Sequence, residues 1–316
     1  METLHDHKLS ILFVLIWSSA YVAGALCTGM IAPLTVTLWR FVVASALLGL
    51  VAWYRREAWP RDAGAWARAA FTGVVLFALQ FGALYTGLAR HMPTATTALI
   101  ACSSPLVIAA LSALFGWERL SRRQWLGIGL GVLGVAVTLS DRLGRPPGLT
   151  ALAWTLLGLA ALVAGTLLQG RLQSGAGPAA LASVEIGAAA LAIGLFAPFA
   201  GSLAIPLTPK ALLTFGYVAI VAGAGAPLLL FALIRERGPS QASSLLFVVP
   251  ALTALEAWPI LGTHVGPAAF LGFVIAGTGL WLARARRAAS SLTRNQPSGV
   301  LIVEPRLLVA DNRERA

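Results

Sequence analysis

Three charged residues lie inside long apolar stretches of the sequence: Arg40 in PLTVTLWRF, Glu185 in LASVEIGAA and Glu256 in ALTALEAWP. A charge among apolar residues is costly unless it faces a partner or a polar cavity. The planar guanidinium of Arg40 suits a carboxylate or another anion. Either glutamate could bind a substrate amine or carry a coupling proton, because burial favours the neutral form of a carboxyl group. These three charged residues therefore predict a site that binds a small molecule and exchanges a proton.

Neutral polar and aromatic residues of the same stretches could line a shared cavity. Trp17, Tyr21 and Gly24 recur at i, i+4 and i+7, on one face of a helix, where the glycine would leave room beside the aromatic rings. Most such residues only pack or hydrogen-bond between helices, so both roles stay open. The substrate-binding candidates are Arg40, Trp17, Tyr21, Gln80, Tyr85, Glu185 and Glu256, with Ser18, Ser19, Ser103, Ser104 and Gln169 as further lining residues.

Two prolines inside apolar stretches are candidates for gating. Pro105 and Pro250 each lack a backbone N–H, so each frees a carbonyl group and permits a helix kink. Paired kinks would suit a gate, although kinks that serve only packing are as common.

The composition indicates that these residues lie in a membrane. Hydrophobic residues make up 58% of the 316 residues and charged residues 11%, against about 25% charged in soluble domains. The apolar runs approach the roughly 20 residues that a helix needs to cross a bilayer. The first run could be a secretory signal, since Ala23 and Ala25 supply small residues, but it continues past that site and we expect it to remain as a helix.

We predict an all-α membrane protein with ten transmembrane helices, five in each half. The predicted spans are Leu9 to Gly29, Pro33 to Trp53, Ala67 to Leu88, Pro93 to Trp117, Gln124 to Ser140, Leu149 to Gly170, Pro178 to Phe199, Ala211 to Ile234, Pro239 to Leu261 and Pro267 to Ala285.

The halves are repeats of one design. A shift of 145 positions, the difference between Arg235 and Arg90, also sets Pro105 on Pro250 and Arg40 on Glu185 without a gap. The predicted organisation is a cytoplasmic N-terminus at 1–8, a first repeat at 9–140, a linker at 141–148, a second repeat at 149–285 and a cytoplasmic, disordered tail at 286–316.

The net charge of +11 is a topology signal. With a cytoplasmic N-terminus, the outer side holds only Arg90, Arg142, Arg145 and Lys210. The inner side holds Lys8, Arg55, Arg56, Arg61, Arg68, Arg119, Arg122, Arg123, Arg171, Arg235, Arg237, Arg284, Arg286 and Arg287. This is the asymmetry of short loops in inner-membrane proteins, so we expect no nucleic-acid partner.

Five spans per half would make the second repeat enter the membrane in the opposite sense to the first, as in many secondary transporters. Under this topology Arg40 and Glu256 lie at similar depth, about 10 Å and 8 Å from the outer ends of their helices. They could therefore form a permanent ion pair instead of binding a substrate. Glu185, about 10 Å from the inner end, could extend its carboxylate to the interface.

Glycines in the fifth and tenth spans predict close helix packing. Gly127 and Gly131 form a G-x-x-x-G pattern that Gly272 and Ala276 echo. The pattern fits packing within a monomer or a homodimer through these glycine-rich faces.

Other chemistry is not indicated. The sequence has no G-x-x-x-x-G-K-[ST] phosphate loop, and no cofactor is expected. Cys27 and Cys102 lack the spacing of a metal site, and the four histidines His5, His7, His91 and His264 are scattered over termini and loops. No nucleophile and base are placed together, so we predict neither an enzyme nor a metal site.

These residues together resemble the EamA branch of the drug/metabolite transporter superfamily. The resemblance covers Leu9 to Ala285 and is carried by Trp17 in IWSSAYVAG, Arg40, Pro105 followed by Glu118 in FGWERL, and GIGLGVLGV in the fifth span. It implies an inner-membrane exporter of small metabolites such as amino acids, with both termini cytoplasmic. The chain departs from the family pattern at Thr263, where a second glutamate would follow Leu261 and Gly262.

The sequence therefore predicts a secondary transporter that works by alternating access, with a small-molecule substrate and the lipid bilayer as its partners. The alternatives are a lipid flippase or an integral-membrane transferase and, as a third option, a passive channel.

Overall fold

The described part of the chain, in a computed structural model, folds into ten helices. It comprises residues 2–116, 120–140, 148–170, 172, 175–226, 229, 233, 245–263 and 266–284. The helices are α1 (Glu2–Thr28), α2 (Pro33–Tyr54), α3 (Ala63–Ala89), α4 (Thr94–Leu114), α5 (Arg122–Ser140), α6 (Leu149–Gln169), α7 (Pro178–Ala200), α8 (Pro209–Gly225), α9 (Val249–Leu261) and α10 (Pro267–Arg284). A short 3₁₀ turn, Leu245–Phe247, precedes α9.

Seven of these helices, α1 to α7, are long and apolar enough to cross a membrane, and α8 to α10 are shorter apolar helices. Most bounds lie close to the predicted spans. Two helix starts differ most from the prediction. The helix α1 begins at Glu2, so the backbone of the predicted N-terminal segment continues the first helix. The helix α9 begins at Val249, after the 3₁₀ turn, whereas the predicted span begins at Pro239. Residues 1–283 form one compact unit. Residues 141–147 of the predicted linker at 141–148, the tail at 286–316 and Glu118 lie outside the described residues.

Helix starts follow from local sequence. Proline occupies the first turn of α2 and α7, where its missing N–H costs nothing and its fixed φ favours the helix. Asp62 caps α3 by accepting from the Ala65 N–H at 2.8 Å. The start of α7 is capped from a distance, because Glu57 Oε2 accepts from the N–H groups of Ala179 and Ala180 at 2.8 and 3.0 Å.

Both third helices of the repeats contain a π-helical segment. It spans Val74–Leu79 in α3 and Tyr217–Gly225 in α8. The repeat shift moves Val74 to 219 and Leu79 to 224, inside the second segment. A π turn is rare and commonly marks a functional position.

The glycine-rich faces of α5 and α10 pack against each other within one chain. A Cβ atom on Gly127 would lie 2.5 Å from the Gly279 carbonyl oxygen, and one on Gly134 would lie 2.6 Å from that of Gly272. The repeat shift of 145 positions moves Gly127 to Gly272 and Gly134 to Gly279, so it converts one contact into the other. Because the earlier glycine of α5 meets the later glycine of α10, the two helices run antiparallel. The two glycine-rich faces therefore pack within one monomer. A homodimer through these faces stays a prediction.

The helices α2 and α7 pack against each other over an extensive contact. Ser45 donates to the Ser183 carbonyl at 2.9 Å, and Ser183 donates to the Ser45 carbonyl at 2.9 Å. Gly49 lies against the Ser183 hydroxyl. At the repeat-equivalent Gly194, an added Cβ atom would lie 3.6 Å from Cδ1 of Leu38. This pair is also antiparallel, and it brings the helices of Arg40 and Glu185 together.

Candidate functional site

Arg40 is buried on α2, with 7% of its surface exposed. Its Nη1 donates to the hydroxyl of Tyr85 on α3 at 2.7 Å, and its Cζ lies 4.4 Å from the centroid of the Phe81 ring. Aromatic faces stabilise a cation in apolar surroundings. The Nε atom, in contrast, is buried without a hydrogen-bond partner. A buried donor left unpaired costs about 1–3 kcal/mol, so this guanidinium retains the capacity to bind an acceptor.

Two glycines shape the surroundings of Arg40. On α1, a Cβ atom at Gly24 would lie 2.9 Å from Cε1 of Tyr85, so the absent side chain gives room to this tyrosine of α3. On α8, a Cβ atom at Gly223 would lie 3.9 Å from Arg40 Nε. The unpaired nitrogen therefore lies beside the π-helical segment of α8.

Glu256 is held by α1 and not by Arg40. Its Oε1 accepts from the Ser18 hydroxyl at 2.9 Å, while Oε2 is buried without a partner. The neighbouring Ser19 hydrogen-bonds the Tyr217 hydroxyl on α8. The alternative in which Arg40 and Glu256 form an ion pair is thus not seen, because equal depth along two helices does not give the direction in which their side chains point.

Glu185 is also buried, with 2% of its surface exposed. The alternative in which it extends to the interface does not hold. Its backbone is crossed by α3 at Gly73, so closely that no Cβ atom would fit there. The side chain of Gln169 on α6 is within hydrogen-bonding reach of the carboxylate. Even so, Oε1 of Glu185 and Oε1 of Gln169 are both buried without hydrogen-bond partners.

The remaining candidates occupy different places. Trp17 lies 5.2 Å from Phe13, ring to ring, and packs with Tyr21 against an apolar cluster that includes Cys102. Gln80 is buried directly after the π-helical segment of α3. Within the described chain, no hydrogen bond joins Trp17, Tyr21 or Gln80 to Arg40, so the structure brings only Tyr85 of these candidates onto the guanidinium.

The two prolines occupy equivalent positions at helix starts. A break at Ser103 divides α4 into Thr94–Cys102 and Ser104–Leu114, and Pro105 lies in the first turn of the second part. Pro250 lies in the first turn of α9. Each proline therefore begins a helical segment, whose first turn needs no N–H from it, and Pro105 follows a break within α4. The gating role of both prolines stays a prediction. A cavity of about 120 Å³ adjoins this region, lined by Leu99, Ser103, Pro250 and Phe273 among others.

Two contact residues of this site, Phe81 and Tyr217, are not among the residues predicted from the sequence. Phe81 precedes Tyr85 by four residues, which places both on one face of α3 and was a usable signal. Tyr217 had no such signal, because its role depends on how α8 packs against α1.

Comparison with known proteins gives one family and one fold. The sequence model of the EamA-like transporter family matches residues 7–140 and again 149–285. A crystal structure described only as that of a protein superposes with a TM-score of 0.61 and 18% sequence identity, covering 92% of this chain and 99% of the other. No curated protein matches the chain.

Proposed function

The chain belongs to the EamA-like transporter family of the drug/metabolite superfamily, and we propose that it is a secondary transporter that exports small metabolites bearing a carboxylate, such as amino acids. It is a multi-pass membrane protein. The proposed location is the bacterial inner membrane, with both termini in the cytoplasm, as the distribution of basic residues indicates.

The observation that carries this proposal is the buried, unpaired Nε of Arg40. Tyr85 fixes one nitrogen of the guanidinium, and Phe81 supports its face, so the group is oriented before any ligand arrives. A carboxylate can accept from two guanidinium nitrogens at once. An anionic substrate beside Gly223 would pair the free donor and offset the cost of burying the cation.

Alternating access is supported by the reciprocal packing of the repeats. The pairs α2 with α7 and α5 with α10 are antiparallel, and their contacts exchange under the repeat shift. Such exchange is expected of two inverted five-helix bundles that are related by an axis in the membrane plane. In this proposal the two bundles rock about a substrate site between them.

Proton coupling is supported by the carboxylates of Glu185, which is buried, and Glu256, which is half-buried. Glu185 and Glu256 each keep one oxygen without a hydrogen-bond partner. Protonation would turn such an oxygen into a donor and remove a buried negative charge. We assign both residues to coupling, and Trp17, Tyr21 and Gln80 to the lining of the substrate path.

The test is counterflow in proteoliposomes with a panel of labelled amino acids and organic acids. The purified chain is expected to exchange at least one carboxylate-bearing compound, and Arg40→Ala is expected to abolish this exchange. The matched control is Arg90→Ala, since Arg90 is an exposed arginine. If Arg40→Ala exchanged the compound as fast as the wild type and Arg90→Ala, the assignment of the anion site to Arg40 would be wrong.

A further inference from the structure

The end of α2 and the loop after it form a basic, aromatic recess. A cavity of about 560 Å³ is lined by Ala52, Trp53, Tyr54, Arg56, Glu57 and Trp59. Trp59 stacks on Trp66, with ring planes within 3° of parallel, and the Trp66 indole N–H donates to the Pro60 carbonyl at 2.9 Å. One wall of the recess is therefore a fixed aromatic surface.

Positive charge is concentrated at this recess. Four arginines, Arg55, Arg56, Arg61 and Arg68, are exposed in and beside it. The two carboxylates of the same loop already accept backbone N–H groups, because Asp62 caps α3 and Glu57 caps α7. Their negative charge is thus directed to helix N-termini, where it complements the helix dipole. The recess retains an excess of guanidinium groups.

The backbone presents Arg56 in a conformation that glycine usually adopts. The Glu57 N–H donates to the Ala52 carbonyl, and the Arg56 N–H donates to the Trp53 carbonyl, which is the pattern of a Schellman motif at the end of α2. Arg56 is the left-handed residue of this motif, with φ of 52°. Glycine would relieve the conformation but would remove the side chain that lines the cavity.

An apolar surface leads to the same arginines. Leu47, Leu50 and Tyr54 recur at helical spacing on α2 and are all exposed, and Trp53 beside them is 73% exposed. An apolar strip that ends in aromatic and basic side chains matches the layout of a phospholipid, whose acyl chain is apolar and whose headgroup carries a phosphate.

We propose that this recess binds the headgroup of an anionic phospholipid, with its phosphate at Arg55 and Arg56 and its acyl chain along Leu50 and Tyr54. The inference does not depend on the transported substrate. Because Glu57 lines the cavity and also holds the first turn of α7, an occupied recess would reinforce the contact between the first repeat and the helix of Glu185.

The test is native mass spectrometry of the full chain, equilibrated with equal amounts of phosphatidylglycerol and phosphatidylcholine of matched acyl chains. The wild type is expected to retain phosphatidylglycerol preferentially. Each basic residue near an anionic headgroup contributes about five-fold, so Arg55→Gln with Arg56→Gln should reduce this retention about 25-fold. The matched control is Arg90→Gln with Lys210→Gln, which removes two positive charges from exposed residues elsewhere.

Three results would overturn the proposal: retention by the Arg55/Arg56 variant equal to the wild type, an equal loss in the Arg90/Lys210 control, or displacement of the lipid by the same concentration of inorganic phosphate. Should the double glutamine variant be poorly folded by size-exclusion chromatography, Arg55→Lys with Arg56→Lys takes its place. That variant keeps both charges and is expected to retain more phosphatidylglycerol than phosphatidylcholine; equal retention of the two lipids would contradict the assignment.

Discussion

Arg40 and Glu185 are repeat-equivalent residues of opposite charge. Each lies against a helix from the other half of the chain, and both of these helices contain a π-helical segment. Arg40 Nε faces Gly223 within the π-helical segment of α8. The Glu185 backbone crosses Gly73, directly before the π-helical segment of α3. The crossing of α2 with α8 is thus repeated by α7 with α3. The first crossing carries the Arg40 cation, which can bind a carboxylate, and the second carries the Glu185 carboxylate, which can bind a proton.

The Arg40–Tyr85 hydrogen bond should matter for affinity. Tyr85→Phe removes the acceptor that fixes Nη1 and leaves the ring in place. Hydrogen bonds to charged groups contribute about 1.5–3 kcal/mol, so we expect the apparent substrate affinity to fall by about ten-fold or more. Concentration-dependent counterflow measures this. Thr166→Val, which removes an exposed hydroxyl on α6, should leave the affinity unchanged.

Glu185 and Glu256 should separate exchange from proton-driven transport. Glutamine resembles a protonated carboxyl group that cannot release its proton. We therefore expect Glu185→Gln or Glu256→Gln to retain counterflow and to lose the acceleration of transport by a pH gradient. Transport that responds to the gradient as in the wild type, in both single variants and in the double variant, would remove these residues from the coupling scheme.

The glycine contact between α5 and α10 should tolerate no added methyl group. A Cβ atom at Gly134 would lie 2.6 Å from the Gly272 carbonyl oxygen, whereas one at Gly129 on the same helix meets nothing within 4 Å. Overpacking costs about 1–3 kcal/mol. Gly134→Ala should lower the thermal unfolding temperature in detergent, and Gly129→Ala should not. Equal temperatures for the two variants would argue against this helix contact.

Glu57 should stabilise the start of α7. Replacing a capping side chain typically costs about 0.5–2 kcal/mol, and Glu57 accepts two N–H groups from across the chain. We expect Glu57→Ala to accelerate hydrogen exchange at Ala179 and Ala180 and to leave the Asp62-capped Ala65 N–H unaffected. Unchanged exchange at the first two amides would show that the cap contributes little.

The sequence predicts the fold better than the site, for a physical reason. Helix positions follow from the length of apolar runs and from prolines, so α2, α6 and α7 begin at the predicted residues Pro33, Leu149 and Pro178. Contacts depend also on the rotation of each helix about its axis. Depth alone suggested an Arg40–Glu256 pair, whereas rotation directs Arg40 to Tyr85 and Glu256 to Ser18.

The π-helical segments and the position of Tyr217 could not be predicted either. Nothing in the composition of Val74–Leu79 distinguishes it from an α-helical run, and its conformation accompanies the close crossing at Gly73. The repeat of 145 positions, in contrast, can be read from the sequence, and it places the π-helical segment of α3 on that of α8.

In our proposal the two halves are inverted in the membrane, and labelling of single cysteines tests this arrangement most directly. Gly144→Cys and Ser298→Cys would be placed separately in a chain lacking Cys27 and Cys102, both of which are buried. With a membrane-impermeant maleimide on intact cells, we predict that position 144 is labelled and that position 298 is labelled only after permeabilisation. Labelling of both positions from the same side would contradict the inverted architecture.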